Sequence, residues 1–394
     1  MRKITKAGIG ALGALALLAG VTSGPARADA GATATDFVLV GSDTVQNAAN
    51  FLFDGDQHAH NGFNFSNKST RVFSFDANGD DNGRAVYPKN SASALPVTEI
   101  LRVGTLPVPR PNGSGAGIGA LISDTVGNPG GYAVSGYPAL PNGSINLVRA
   151  SRLPKASENA ACAALANCGG LHVYQFAYDN LQAATAITTN APAGLSGVQL
   201  AHIFQCDAGY THWNDAAIGG TSPNTIIPVI PQAGSGTQAF FLADMGAALG
   251  LSGSITPGAC VQVGQEHDPS SIYGNPTPAD VIMPFSTAKI SLINSGYFGS
   301  YPQNKVTTNY NGAAGAYNTS RGLYFVARDY DIAHAGKYTT SQTSGNLYTY
   351  LFGGSSPWIA RASQQTLIQS AGFSTAVDPI QGASFQDLGN LTAG

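Results

Sequence analysis

Charge is the scarcest feature of this 394-residue chain. Asp, Glu, Lys and Arg together make up only 10% of it, against roughly 25% in an average soluble domain. The 19 basic and 22 acidic residues balance to a net charge of -3. No basic face can be assembled from that stock, which argues against a nucleic-acid binder, where Lys and Arg must neutralise phosphates. It argues equally against a polybasic membrane-surface protein. Beyond the N-terminal region, no stretch approaches the roughly 18 apolar residues of a membrane helix. The 49 Gly and 22 Pro residues show no Gly-x-y period, so a collagen is excluded. No fixed-period repeat is present. The four cysteines contain no CxxC pair, and their spacing matches no common zinc finger. A hydrolase elbow, Gly-x-Ser-x-Gly, is missing as well: Ser114 follows Asn112 at that spacing, and Ser235 follows Ala233. With no histidine spaced to serve a nucleophile, an enzyme is not expected, and no cofactor or metal is required.

What the chain does have is apolar bulk. Hydrophobic residues make up 43%, enough for one very large domain or two of ordinary size. At the N-terminus, basic Arg2, Lys3 and Lys6 precede the small apolar run Ala7–Val21, and Ala28-Asp29-Ala30 offers a cleavage site. Residues 1–30 therefore read as a secretory leader cut after Ala30. No lipid-attachment cysteine follows, so the mature protein is expected outside the cell and unanchored. An oxidising compartment suits the cysteines. Four allow three pairings, and Cys162–Cys168 with Cys206–Cys260 is preferred, a small loop and a longer staple.

Strand-like and helix-like segments alternate along the chain. TDFVLVGSDTV (35–45), SINLVRASR (144–152), HVYQFAYDNLQAATA (172–186), TIIPVIP (225–231) and RGLYFVARDYD (321–331) read as strands. NAANFLF (47–53), LSGVQLAHIFQC (195–206) and segments within 347–373 read as helices. This pattern predicts an α/β fold with mixed, mainly parallel sheets. A polar Gly/Asn/Asp-rich insertion occupies 54–90.

Three turns share one design: a short apolar strand, a Gly/Ser/Thr turn, then a helix. They are Gly41-Ser42-Asp43-Thr44, Asn112-Gly113-Ser114-Gly115-Ala116-Gly117 and Ala233-Gly234-Ser235-Gly236-Thr237. Each is an anion cradle in outline. Helix-start N–H groups point outward, the dipole adds partial positive charge, and hydroxyls donate further bonds. One such turn is explained by helix capping alone. Three in one α/β chain, each at the carboxyl end of a strand, point to a ligand site.

Taken in order, GSDTVQ, NGSGAGIGAL, INLVRASR, LSGVQLAHIFQCDAGYTHWND and IIPVIPQAGSGTQAFF resemble the phosphate-binding protein of Pst-type ABC transporters and its wider periplasmic-binding-protein family. The resemblance spans roughly residues 35–330. It implies a two-lobed Venus-flytrap fold (type 2). Lobe I would comprise 31–174 plus 322–394 and lobe II 175–321, closing on one dehydrated oxyanion. It places Ser42, Asp43 and Thr44 on the ligand from the first turn, Ser114 and the N–H of Gly115 from the second, and Gly234, Ser235, Gly236 and Thr237 from the third. Two departures stand out. The family's Arg four residues before the third-turn serine is Pro231 here, followed by Gln232. Its Asp after the SINLVRAS serine is Arg152, beside Ser151. Arg152 could restore the missing cation in the cleft; its other role would be a structural ion pair.

The function so implied is a secreted solute-binding protein for an oxyanion, most naturally phosphate, presented to an ABC permease. The alternative is a scavenger, adhesin or signalling protein on the same scaffold; a phosphohydrolase-like enzyme ranks below both. Weaker signals are read as structural. Asp54, Asp56, His58 and His60 alternate as metal ligands might, but fit a solvated loop. Asp76–Gly83 starts like a calcium loop, yet Tyr87 stands where the bidentate Glu belongs. Trp213 reads as a packing residue.

Overall fold

A computed structural model describes residues 32–56, 59–77, 98–128, 131, 140, 143–298, 301–334, 339–340, 343–375 and 385–391. The leader, His58 and most of the calcium-like loop lie outside these residues.

β1 (Phe37–Gly41) shows why the sheet must be covered on both sides. Phe37 and Leu39 enter one apolar cluster, while Val38 and Val40 enter another. A strand with period-two side chains feeds two cores only inside a sandwiched sheet. α1 (Asp43–Asp54) follows at once, with Asp43 in its first turn, and Gly55 stops it at φ 97°. Next come α2 (Phe63–Ser66), β2 (Val72–Ser74) and the short pair β3 (Thr98–Glu99) and β4 (Val108–Pro109). α3 (Ser114–Ser123), β5 (Leu147–Ala150) and α4 (Ala156–Ala163) lead to β6 (Leu171–Ala186), the longest strand at 16 residues. Then follow α5 (Gly197–Gln205), β7 (Ile227–Pro231), α6 (Gly236–Ala248), β8 (Gln262–Gly264) and α7 (Ser270–Tyr273). β9 (Val281–Ser286), α8 (Thr287–Asn294), β10 (Val306–Thr308) and β11 (Thr319–Arg328) follow, with β9 and β11 completing the sheet's main path. α9 (Asp329–Ala333), α10 (Leu347–Phe352) and α11 (Ala362–Ser370) cover one face of it.

The strand order is β2-β1-β5-β11-β6-β9-β7-β8, with β10 and two C-terminal strands, Ser374–Thr375 and Gln386–Asn390, also pairing β6. The sheet is mixed, as expected, but "mainly parallel" holds only toward its ends. β1 runs parallel to β2 and β5, and β7 to β8 and β9. At the centre, β11 is antiparallel to β5 and β6, and β6 is antiparallel to β9 and β10. Parallel pairs need helical crossovers. The central antiparallel pairs join strands far apart in the chain: β6 ends at Ala186 and β9 begins at Val281, while β11 returns from the C-terminal side to lie between β5 and β6.

β6 serves all four apolar clusters. Val173 enters one and Tyr174 and Phe176 a second, while Leu181 and Ala184 belong to the third and fourth. The sheet thus has two halves, each packed on both faces, sharing β6 and the start of β11. Trp213 is fully buried in the third cluster, and its Nε1–H donates to Asp280 at 3.1 Å, so it is a packing residue.

Both expected disulfides form, Cys162–Cys168 and Cys206–Cys260. They close loops of very different size, with sequence separations of 6 and 54. Chain-entropy arguments give roughly 2 kcal/mol for the first and about 4 kcal/mol for the second. Urea unfolding of the Cys206→Ala/Cys260→Ala double variant should therefore show the larger loss. An equal or smaller loss than in Cys162→Ala/Cys168→Ala would refute loop closure as the source.

Candidate functional site

The three Gly/Ser/Thr turns meet. Ser42 ends the β1 turn, Ser114 opens α3, and Ser151 follows β5. The Ser42 and Ser114 hydroxyls each lie 3.3 Å from Ser151 Oγ, and the Ser151 N–H donates to Ser114 Oγ at 2.9 Å. Gly236, the first residue of α6, packs so closely on this trio that a Cβ there would collide with the Ser114 and Ser151 hydroxyls. Only glycine lets the start of α6 approach. Ser42, Thr44, Ser114, Ser151 and Thr237 are all 0% exposed. Three helix N-termini, those of α1, α3 and α6, thus face one dry spot beside the paired strands β6 and β11. Each brings N–H groups and a positive dipole end.

Charged side chains surround the hydroxyls. Arg321 and Asp179 sit directly opposite each other on β11 and β6. The guanidinium forks onto Asp179 Oδ2 at 3.0 and 2.7 Å, reaches Thr237 Oγ1 at 2.8 Å, and touches Thr44 Oγ1 at 3.4 Å. Asp179 also accepts from Ser286 Oγ at 2.7 Å. Burial pushes the Asp179 carboxyl up, against the pull of Arg321. Lys289, from α8, bonds Asp43 at 3.1 Å and Asn47 at 2.5 Å. Beneath the first turn, buried Arg149 donates to the carbonyls of Gly41 and Ser42 at 3.3 and 3.2 Å. Burial lowers its pKa to about 10, so it remains a cation at neutral pH.

Glu266 and His267 follow β8. Glu266 Oε1 accepts from the Thr237 N–H at 3.2 Å and the Thr44 hydroxyl at 3.1 Å. A side-chain carboxylate therefore already occupies the positive end of α6. Burial, with the Asp43 charge adding to it, pushes the Glu266 carboxyl up. His267 Nδ1 accepts the Ser286 backbone N–H at 3.3 Å. The proton of the neutral ring then sits on Nε2, 2.8 Å from Thr44 Oγ1. The ring donates to Thr44 and cannot take its proton, so this His–Thr contact is not an activated nucleophile.

Residues 101–346 match the family model of the PBP superfamily domain. The chain belongs to the PBP superfamily. No curated protein matches it. Among solved structures it is similar to a protein from Clostridium perfringens described as a phosphate ABC transporter substrate-binding protein, with phosphate bound. That likeness is at 16% identity and a TM-score of 0.49, covering 86% of this chain and 98% of that one. An ABC-type phosphate transport receptor from Vibrio cholerae is similar at 16% identity and a TM-score of 0.46, covering 86% and 99%.

Within this PBP chain, the sequence-derived site residues divide. Ser42, Thr44, Ser114, Ser151, Gly236 and Thr237 come together. Ser235 caps α6, accepting the Gln238 N–H at 3.0 Å. Asp43 turns to Lys289 and Gln265. The Gly115 N–H, expected as a donor to a ligand, bonds the Gly234 carbonyl at 3.0 Å and ties the second turn to the third. Arg152 grips Glu158 at 2.6 and 2.9 Å. It takes the structural ion pair, and the cation among the hydroxyls is Arg321.

The Pro231 departure also has a sequel. Gln232, beside it, donates to Asn112 Oδ1 at 3.0 Å, and Asn112 donates to Gln265 Oε1 at 3.0 Å. These neutral amides clasp the second turn to β7 and β8. Among the described residues, no group of three or more His, Cys, Asp or Glu side chains could hold a metal ion. Asp56 instead bonds His60 at 2.6 Å.

Asp179 and Arg321 carried a readable signal. Both sit in phase with buried residues of their strands, Arg321 with Leu323 and Asp179 with Leu181. A charge on an inward strand face needs a partner or a ligand. Glu266 and His267 carried none, because the loop after β8 has no period to be out of phase with; Lys289 lies on α8, on one face with buried Leu292 and Ile293.

Proposed function

We propose that this PBP chain is a solute-binding protein for a single oxyanion, phosphate in first place. The observation that carries the reading is the convergence of the α1, α3 and α6 starts on the serine trio beside Arg321. Hydroxyl pairs 3.3 Å apart are long for O–H···O bonds. An incoming oxyanion would exchange them for shorter, charge-assisted ones. Arg321 would supply the guanidinium that the Pro231 position lacks.

Glu266 gives the site a preference. A phosphate that still carries a proton can donate it toward this carboxyl, whereas sulfate brings none. The lobes would be 31–174 with 322–394, and 175–321, opening by a hinge at β6 and β11. Secretion after leader removal and delivery to an ABC permease complete the reading. A binding role, rather than catalysis, fits a His267 that donates to Thr44.

Calorimetric titration of the refolded, anion-free protein with phosphate and with sulfate tests it. Saturable heat with phosphate, weaker with sulfate, is expected. No saturable heat with either anion overturns oxyanion binding.

A further inference from the structure

Along residues 172–175, β6 pairs with β11 on one side and with the C-terminal strand Gln386–Asn390 on the other. Short terminal strands are the first parts of a fold to open unless something ties them down. Here the tie is His172. Its Nε2 lies 2.7 Å from Asp387 Oδ1 in the C-terminal strand, and its Nδ1 lies 3.0 Å from Asp329 Oδ1 at the start of α9. An ionised carboxylate can only accept, so both ring nitrogens must donate, and only the imidazolium carries two N–H groups. A neutral ring would set a nitrogen lone pair against one of the carboxylates. The geometry therefore specifies a cation between two anions. The acids meet opposite ring nitrogens, which makes a bridge rather than a metal chelate.

The elements around the ring add no competing charge. Across β11 its neighbour is Ala327, and across the C-terminal strand it is Asn390. Arg328, one residue further along β11, turns to Asp331 and Asp124. On α9, Tyr330 stacks on His334, with 3.7 Å between ring centroids. On β6 itself, the Tyr174 ring lies 4.7 Å from the imidazole. Burial, and then the two carboxylates, push that phenol up, so it stays neutral. Burial pulls the His172 pKa down, but the hydrogen bonds to Asp387 and Asp329 outweigh it and leave the group above its ordinary 6.5. Burial pushes the Asp387 carboxyl up, and the His172 hydrogen bond outweighs that and leaves it below 3.8.

We propose that the His172 imidazolium is a pH-sensitive latch on the C-terminal strand, which opens from β6 as the ring loses its proton. The latched state keeps the proton more tightly than the open one. The latch is therefore complete below 6.5 and is lost as pH rises through the raised folded value. Asp387 sets the acid limit with the opposite sign. Its share is complete above 3.8 and is lost as pH falls through the lowered value. Opening bares the backbone edge of β6 at 172–175, and it frees the Tyr174 ring from Phe385, 5.9 Å away between centroids. The proposal is independent of the oxyanion reading, because none of these residues belongs to the serine cluster.

The experiment is hydrogen exchange of the full chain between pH 5 and 9, corrected for the intrinsic exchange rate. Protection of 386–390 and 172–175 should fall as pH rises above 6.5, by up to about tenfold per unit, and then level off. The total loss should be at least about threefold, while amides of β1 and β9 keep their protection. His172→Gln should be less protected at pH 6 in these two segments, with a flat profile above it. An NMR titration of the His172 ring in the parent supplies a second readout that needs no variant. The proposal fails if the parent profile is flat, if the loss is shared equally by β1 and β9, if His172→Gln keeps the pH dependence, or if the ring titrates at or below 6.5.

Discussion

Arg321→Ala is expected to weaken phosphate binding at least about 100-fold, and to destabilise the protein by about 3–5 kcal/mol. The two effects have different origins. The guanidinium holds Asp179 by two hydrogen bonds where both side chains are nearly fully buried. Removing one partner of such a pair strands the other charge in low dielectric. The binding loss comes from the same guanidinium's contacts to Thr237 and Thr44, which place it at the rim of the hydroxyls. A double variant separates the two. Arg321→Met with Asp179→Leu removes both charges, and replacing a buried ion pair by apolar groups of similar volume is often neutral. Urea unfolding should show recovered stability, and calorimetry should still show lost binding. If the double variant binds phosphate as the parent does, Arg321 does not meet the ligand.

The second large effect concerns pH and Glu266. Its carboxyl is pushed up in the folded protein from its ordinary 4.5, first by burial and then by the Asp43 charge. A raised folded pKa means that the folded state holds the proton more tightly than the unfolded chain. The stability linked to that proton is therefore complete below 4.5 and is lost as pH rises through the folded value. Asp124, raised by burial to about 6, acts with the same sign. Glu266→Gln should flatten this decline, so the variant gains on the parent as pH rises above 4.5 in urea titrations.

Binding follows the same proton. Once Glu266 ionises, sulfate can enter only if the site takes up a proton from solvent, so its affinity should fall about tenfold per pH unit. Phosphate brings its own proton, and its affinity should fall less steeply. In Glu266→Gln the sulfate slope should vanish and the two anions should bind more alike. Parallel phosphate and sulfate slopes in the parent would remove Glu266 from anion choice.

The cradle turns were legible because each is local. At the first and third turns an apolar strand, a Gly/Ser/Thr turn and a helix follow one another within about fifteen residues, and helix-start physics acts inside that window; the second turn follows only the two-residue β4, outside the main sheet. The disulfides were legible for a related reason, since one pairing combined a short loop with a long staple. Arg152 shows where local reading misleads. It stands beside Ser151 in sequence, but Glu158 on the following helix offers it a bidentate partner a few residues away. The cluster's other charges come from far along the chain. Asp179 and Arg321 are 142 residues apart, Thr44 and His267 are 223, and Asp43 and Lys289 are 246.

By itself, the amino-acid sequence determined an α/β architecture, three helix starts suited to an anion, and a scarcity of charge that left nucleic acid out. Strand and helix periodicity and capping act over a few residues, so they are written in the chain directly. Tertiary structure decided that the three starts face one dry spot, that Arg321 rather than Arg152 stands there, and that Glu266 holds the end of α6. Those outcomes depend on how β6 and β11 run through both halves of the sheet. Burial of a charge is settled only when the distant strands that exclude water from it have come together.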